Sequence, residues 1–168
     1  MKMTKNLLLS LLLIVPTVVS ALPTDRNKPI EIESNTADID NNKGVSVYKG
    51  DVVMTQGTTR ITGDKVTVYS INNEVNRIVA EGDKQRAYYQ EEQANKKGLL
   101  QAWGHTIDYG IKGDKVHLLK NAQLKQQGDT FKGERIDYDL KQQTVNAQGS
   151  KQKGRVQMVI QPKSDKTQ

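Results

Sequence analysis

The chain has 168 residues, no cysteine and a formal net charge of +6, and 35% of its residues are hydrophobic. This length allows one domain of ordinary size, and the lack of cysteine excludes disulfide scaffolds, thiol nucleophiles and cysteine-ligated metal sites. Thirteen of the hydrophobic residues lie in residues 1–21. The remainder is poor in apolar surface for an enzyme with a thick core, yet too regularly patterned for a disordered chain.

Residues 1–21 predict a secretory signal peptide that is cleaved. Lys2 and Lys5 precede an apolar run over residues 7–15, and the segment ends on Val19 and Ala21, which are spaced as in a cleavage site. The apolar stretch is shorter than the roughly 20 residues that span a bilayer, although an uncleaved anchor is the competing interpretation. We expect an exported protein.

Export also changes what the positive charge implies. For a secreted chain, phosphorylated lipids and cell-surface polysaccharide are more probable polyanionic partners than nucleic acid. Part of the excess charge lies near the C-terminus, where a solvated tail is the simplest interpretation. We predict a flexible segment over residues 22–28, a β-domain over residues 29–161 and a flexible basic tail over residues 162–168.

After the signal segment, apolar residues alternate with polar ones, as in strands that have one buried face. Short turn sequences, many containing Gly or Asn, separate these segments. Together they predict an antiparallel all-β sandwich or barrel. The alternation is clearest in Val52/Met54, Val66/Val68, Ile107/Tyr109/Ile111, Val116/Leu118 and Ile136/Tyr138.

A degenerate internal repeat relates residues 56–69 to residues 127–138. Each copy begins with Gln-Gly and contains a second glycine, a polar pair and then alternating apolar residues. Glycine allows a strand to bend or bulge without a Cβ clash. We therefore expect stacked hairpins that share a continuous apolar seam.

No pattern of catalytic or metal-ligating residues is evident. His105 and His117 lack the spacing of a metal site, and no Gly-x-Ser-x-Gly nucleophile turn occurs. Asp137 and Asp139 lie on one face of a predicted strand, where they favour solubility, although a polysaccharide-modifying enzyme using them stays as an alternative. We expect no enzyme activity, no cofactor and no metal.

Several stretches together resemble the OstA-like family of lipopolysaccharide transport proteins, and in particular its LptA-type members. They include the runs Pro-Ile-Glu-Ile-Glu-Ser at residues 29–34, Tyr-Lys-Gly-Asp-Val-Val-Met-Thr-Gln-Gly at residues 48–57 and Gly-Asp-Lys-Val at residues 63–66. Further matches lie at residues 87–90, 121–124 and 154–156. The resemblance covers about residues 27–162.

The resemblance implies a twisted, open-ended β-jelly roll of about 14–16 antiparallel strands. It also implies a carrier that holds the acyl chains of lipid A in an apolar groove and forms a head-to-tail homo-oligomer between the two membranes. The implied location is the periplasm of a Gram-negative bacterium, and the implied partners are lipopolysaccharide, an LptC-like inner-membrane subunit and an LptD/LptE-like outer-membrane translocon. An LptC-like subunit that keeps residues 1–21 as an anchor is the closest alternative.

Groove and edge residues follow from the resemblance and the alternation together. The resemblance assigns Ile30, Ile32, Tyr88, Tyr109 and Ile111 to the groove. The alternation extends this set to Val52, Met54, Val66, Val68, Ile107, Val116, Leu118, Leu124, Ile136 and Tyr138. Exposed edge strands permit association by strand addition, and the predicted edges carry Ile30, Glu31, Ile32, Glu33, Val156, Met158 and Ile160.

Overall fold

Antiparallel strands make up most of the residues that the computed structural model describes, which are residues 25–93, 98–150 and 154–162. A single 3-10 turn, Asp25–Asn27, precedes the strands. The all-β jelly roll predicted from the sequence is confirmed. The strands are β1 (Glu31–Glu33), β2 (Thr36–Asp40), β3 (Val45–Gln56), β4 (Thr59–Ile71), β5 (Glu74–Glu81), β6 (Ala87–Gln93), β7 (Gly98–Gly104), β8 (Thr106–Gly110), β9 (Lys115–Gln126), β10 (Asp129–Asp139), β11 (Thr144–Gln148) and β12 (Gln157–Val159).

Two layers arise because four long strands, β3, β4, β9 and β10, bend in the middle and contribute one half to each layer. The first sheet runs in the order β2-β3-β4-β5-β8-β9-β10-β11. The second runs in the order β1-β3-β4-β6-β7-β9-β10-β12. The twelve strands therefore supply sixteen strand segments, which agrees with the predicted 14–16.

The bends share one long edge of the roll, which we call the hinge line. The pairing register shifts between Lys49 and Val52 in β3 and between Gly133 and Arg135 in β10, as bulges do when they bend a strand. The second glycines of the sequence repeat, at positions 63 and 133, both lie on this line. The hinge line consists of residues 50–51, Gly63, Gly82, His105, residues 120–121 and Gly133.

Backbone hydrogen bonds fasten the hinge line from strand to strand. The amide of Gly82 donates to the carbonyl of His105 over 2.8 Å, and the amide of His105 donates to the carbonyl of Lys120 over 3.0 Å. A cleft of about 330 Å³ opens here between Glu81, Gly82, Asp83, His105, Thr106 and Lys120. The two sheets are thus joined along this edge by continuous chain as well as by hydrogen bonds.

The inner faces of the two sheets pack against each other as one apolar seam. Its fully buried members are at most 6% exposed, and it extends from partly buried Ile32 in β1 to partly buried Val145 in β11. Burial on this scale is the main favourable contribution to folding, at about 0.8 kcal/mol for each methylene. The seam follows the period-two alternation because successive side chains on a strand point to opposite faces.

Both ends of the roll are open strand edges. At one end β1 and β2 each pair only with β3, and at the other end β12 and β11 each pair only with β10 within the described residues. Met158 and Val159 in β12 are 53% and 56% exposed, and Ile160 beyond it is 64% exposed. The predicted edges around residues 29–33 and 155–160 therefore do lie at sheet edges.

Other predictions about the termini fall outside the described chain. The predicted signal peptide, residues 1–21, and the predicted tail after Pro162 both lie outside the described residues. Among the residues that are described, none forms a helix both long enough and apolar enough to cross a membrane.

Candidate functional site: the seam and its mouth

The seam contains most of the residues that the sequence assigned to a groove. Eleven of the fifteen are fully buried in it, and Ile30, Ile32 and Ile111 are partly buried against it. Their assignment to a lipid groove stays a prediction, but their common inward direction is a feature of the fold. The eleven are Val52, Met54, Val66, Val68, Ile107, Tyr109, Val116, Leu118, Leu124, Ile136 and Tyr138.

The prediction that Tyr88 lies in the groove, on the inner face of the sheet, is wrong. Tyr89 is fully buried in the seam, so its neighbour Tyr88 must point to the opposite face of β6. The ring of Tyr88 packs on Trp103 on the outer face of the second sheet, with centroids 5.2 Å apart. The sequence signal for the correct face was Ala87, which lies two residues before Tyr89 and is also fully buried.

Sequence reasoning also missed several members of the seam. Half of them are alanines. Most of the others lie in strands where apolar and polar residues alternate over only one or two positions. Short apolar residues carry a weak period-two signal, so their faces become evident only from pairing with neighbouring strands. The missed members are Ile61, Ile78, Ala80, Ala87, Tyr89, Leu100, Ala102 and Ala122.

The edge opposite the hinge line is the mouth of the roll, where the turns of the two sheets face each other. The first sheet contributes the turns at residues 41–44, 72–73, 111–114 and 140–143. The second sheet contributes the turns at residues 57–58 and 127–128. Within the described residues, the seam ends here without a covalent connection between the sheets.

A short strap, residues 25–28, lies across this mouth. The Nε2 of Gln56 donates to the carbonyls of Arg26, at 3.1 Å, and Lys28, at 3.0 Å. The amide of Thr58 donates to Oδ2 of Asp25 over 2.9 Å, and its hydroxyl donates to the same oxygen. These contacts fix the strap to the second sheet.

On the other side, the strap reaches the first sheet through Arg26. Its guanidinium forms an ion pair with Asp114 in the turn between β8 and β9. The side chain also interacts with the hydroxyl of Tyr109. The strap therefore links the two lips of the mouth through one ion pair that is partly open to solvent, at side-chain exposures of 47% and 27%.

Polar side chains line the mouth just inside the strap. The hydroxyl of Tyr89 donates to Glu91 over 2.7 Å, and the hydroxyl of Tyr138 donates to Gln126 over 3.2 Å. Tyr138 and Gln126 belong to different sheets, as do Tyr89 and Tyr109, whose rings meet edge to face at 5.4 Å. Hydrogen bonding offsets the cost of placing these groups beside the apolar seam.

Burial shifts the acid–base properties of this cluster. Burial is the main cause that raises the pKa of Glu91, while hydrogen bonds from Tyr89 and Gln93 act in the opposite direction. Burial likewise raises the pKa of Tyr109 and of Tyr138. At neutral pH the tyrosines are therefore neutral donors, and Glu91 is an acceptor with a reduced preference for its ionised form.

The two aspartates of the enzyme alternative do not share a cleft. Asp137 lies on the outer face of the first sheet, where its carboxylate accepts from Nε of Arg135 at 2.9 Å and also contacts His117. The Arg135 hydrogen bond is the largest cause that lowers the pKa of Asp137. Asp139 instead accepts from the amide of Gln142 in the next turn. In the described ranges, no group of three or more His, Asp or Glu side chains is placed to hold a metal ion.

This fold and seam match known proteins. The sequence pattern of the family described as "LptA/(LptD N-terminal domain) LPS transport protein" matches residues 31–144. The chain belongs to this family. It is 42% identical over 149 residues to the lipopolysaccharide export system protein LptH of Pseudomonas aeruginosa, with 85% of each chain covered.

Other relatives of this LptA-type chain agree. It is 34% identical over 164 residues to the lipopolysaccharide export system protein LptA of Escherichia coli K12, covering 96% of this chain and 86% of the relative. The crystal structure of LptH, described as the LptA-homologous periplasmic component of the lipopolysaccharide transport device of P. aeruginosa, superposes with a TM-score of 0.75 at 40% identity. It covers 83% of this chain and is itself covered completely.

Proposed function

We propose that this chain is a periplasmic lipopolysaccharide carrier that holds the acyl chains of lipid A between its two sheets. The observation that carries the proposal is the apolar seam, which runs from one open end of the roll to the other and ends at a mouth without a covalent closure. Membership of the LptA-type family supports the same conclusion. Acyl chains gain free energy from burial in such a seam without any catalytic group.

The seam is closed by packing, so loading requires the sheets to separate at the mouth. Such an opening would break the ion pair between Arg26 of the strap and Asp114, the hydrogen bond from Tyr138 to Gln126 and the ring contact of Tyr89 with Tyr109. Each is a single contact that contributes only about 1 kcal/mol. The hinge line, in contrast, retains its backbone hydrogen bonds while the mouth opens.

The open ends support assembly into a bridge between the membranes. Unpaired strand edges bind a further strand through main-chain hydrogen bonds. The β1/β2 end and the β11/β12 end of successive copies would thereby align their seams into one continuous apolar path. In this proposal an LptC-like subunit and an LptD/LptE-like translocon occupy the two outermost ends of the bridge.

Site-specific photocrosslinking tests the carrier function directly. Tyr109 is buried in the seam near the mouth, whereas Tyr69 lies on the outer face of the first sheet, beside Arg77. Each is replaced by p-benzoyl-phenylalanine, which conserves an aromatic ring. We expect light to link lipopolysaccharide to position 109 and not to position 69.

Equal capture at both positions, or capture at position 69 alone, would overturn the placement of acyl chains in the seam. The export route has its own test, since N-terminal sequencing of the protein from the periplasm should begin at Leu22. An intact Met1 on a membrane-bound product would instead favour the anchored, LptC-like alternative.

A further inference from the structure

The outer faces of the two sheets differ in chemistry. On the first sheet, charged side chains form ion pairs between neighbouring strands: Arg77 with Asp108 at 2.7 Å, and Lys65 with Glu81 at 2.7 Å. Such pairs satisfy the charges within the face. On the second sheet, the side chains at the centre of the outer face are aromatic, amide and cationic, and the carboxylate on the same face of β6, Glu92, lies beyond them towards the mouth.

At the centre of the second face lies a pair of aromatic rings. Tyr88 in β6 and Trp103 in β7 are directly opposite each other in the strand register, and their ring planes are inclined by 42°. Both side chains are half-buried. A pair of large aromatic rings that stays partly exposed on a sheet surface is typical of a binding surface. Single exposed apolar residues are common and carry no such indication.

Amide side chains extend the ring pair towards the mouth. The Nε2 of Gln101 donates to the hydroxyl of Tyr88 over 2.8 Å, and that hydroxyl donates to Oε1 of Gln90 over 2.8 Å. Gln90 and Gln101 are also opposite each other in the register. This relay fixes the orientation of both amides and leaves the second polar atom of each for another partner.

Cations surround this row. The Nζ of Lys125 lies 5.9 Å from the centre of the Trp103 ring, and Lys125 pairs in register with Gln101. Arg60 pairs with Gln90, and Lys132 lies on the same face one strand beyond β9. These three cations are exposed, and within the described part of the chain none forms an ion pair. We call Tyr88, Gln90, Gln101, Trp103 and Lys125 the platform.

We propose that the platform binds an anionic oligosaccharide. The C–H face of a sugar ring stacks on the electron-rich face of an aromatic ring. Oriented amides can pair with adjacent hydroxyl groups, and the surrounding Lys and Arg side chains attract the phosphate or carboxylate groups of acidic sugars. No other described surface of the roll combines these three features.

The position of the platform relates it to the mouth, and here the inference rests on the proposed function. Arg60 lies two residues beyond the turn at residues 57–58, and Lys125 lies two residues before the turn at residues 127–128. At about 3.3 Å per strand residue, both are within about 10 Å of the lip of the second sheet. The sugars of a lipid whose acyl chains enter the mouth can therefore fold over this lip onto the platform.

The test uses the only tryptophan in the chain, Trp103, as a reporter inside the platform. The mature protein is titrated with the oligosaccharide released by complete deacylation of lipopolysaccharide, which keeps sugars and phosphates but has no acyl chains. We expect a saturable change in Trp103 emission, and weaker binding of the same oligosaccharide after its phosphates are removed. No change up to the solubility limit of the oligosaccharide would overturn the proposal.

Matched variants separate binding from structural support. Tyr88→Ser removes one ring of the platform, and Tyr69→Ser removes a ring on the other outer face, where Tyr69 packs 5.2 Å from the guanidinium of Arg77. We expect Tyr88→Ser to weaken oligosaccharide binding about threefold to tenfold and Tyr69→Ser to leave it unchanged. Equal effects of the two would show a general structural role and refute the platform. Lys125→Gln should reduce the preference for the phosphorylated form, and an unchanged preference would contradict its role.

Further titrations identify the source of the sugar. They also distinguish failure of the platform proposal from failure of the proposed carrier function. Glycan strands prepared from the cell wall are titrated in parallel, and a response to these alone would overturn the assignment to lipopolysaccharide sugars. Lipid A without core sugars should bind Tyr88→Ser as it binds the wild type. If the wild type bound neither lipid A nor lipopolysaccharide, the proposed function would fail, whereas the oligosaccharide titration would still decide whether the platform is a binding site.

Discussion

The hinge line and the mouth are the two long edges of the same roll, but they are built from different contacts. At the hinge line, close approaches involve backbone: a Cβ on Gly82 would lie 2.1 Å from the carbonyl oxygen of Gln85 and 2.5 Å from the amide nitrogen of Ala87. At the mouth, they involve side chains: a Cβ on Gly57 would lie 2.1 Å from Oδ1 of Asp25 in the strap.

The difference shows which edge can move. Backbone contacts in a sheet change only when hydrogen-bonded strands separate, whereas a side chain can adopt another rotamer at small cost. The contacts across the mouth are the Arg26–Asp114 pair and the side-chain pairs of the tyrosines, which can break and reform individually. We therefore expect the two sheets to separate at the mouth while the hinge line stays paired. The strap is the segment that holds the mouth closed.

The largest effect is expected from a methyl group at the hinge line. Gly82→Ala forces Cβ against backbone atoms that cannot move independently, so we expect a loss of about 3 kcal/mol in the free energy of unfolding. Urea denaturation followed by circular dichroism measures it. Gly113→Ala is the control, since its Cβ would meet only the side chain of Lys115, at 3.9 Å. Similar losses in the two variants would contradict the rigidity of the hinge line.

An intermediate effect is expected from a methyl group at the mouth. Gly57 has a φ of +60°, so Gly57→Ala costs about 1–2 kcal/mol in backbone strain and also displaces Asp25. We expect the strap to detach and trypsin to cleave faster after Arg26. Gly128→Ala has a comparable left-handed backbone, with a φ of +89°, but its Cβ would meet Gln161. If both variants accelerated cleavage in the strap equally, Asp25 would not be its anchor.

The smallest effect is expected from the buried carboxyl of the mouth, and it depends on pH. Folding raises the pKa of Glu91 above its ordinary value of 4.5. Its contribution to stability is therefore complete below that value and is lost as the pH rises through the folded pKa. Glu91→Gln keeps an acceptor without the charge and should raise the unfolding temperature at pH 7 by about 2 °C. Glu92→Gln, on the exposed face of β6, is the control.

The pH profile decides the cause of that effect. The gain from Glu91→Gln should disappear at pH 4, where the carboxyl of the wild type is already protonated. A gain that persists unchanged at pH 4 would show that packing, and not charge, distinguishes the two side chains. Calorimetric unfolding at both pH values provides the measurement.

The sequence predicted the faces of the long strands well, because Val66/Val68 or Ile136/Tyr138 alternate without interruption. It failed at Tyr88, where two adjacent tyrosines have equal hydrophobicity and the small Ala87, on the same face as Tyr89, is only a weak signal for the inner face. It also could not predict the strap. Asp25 and Thr58 are 33 positions apart, and their contact exists only because the roll brings the start of the chain to the turn between β3 and β4.

The four bent strands have a consequence for how the protein unfolds. Because β3, β4, β9 and β10 are members of both sheets, neither sheet can melt while the other remains intact. The two layers should therefore lose their structure in one cooperative transition. Among the described strands, β1, β2, β11 and β12, each paired along one side, should exchange their amide hydrogens most readily by local opening. The ends proposed to receive other chains are thus also the parts that open at the lowest free-energy cost.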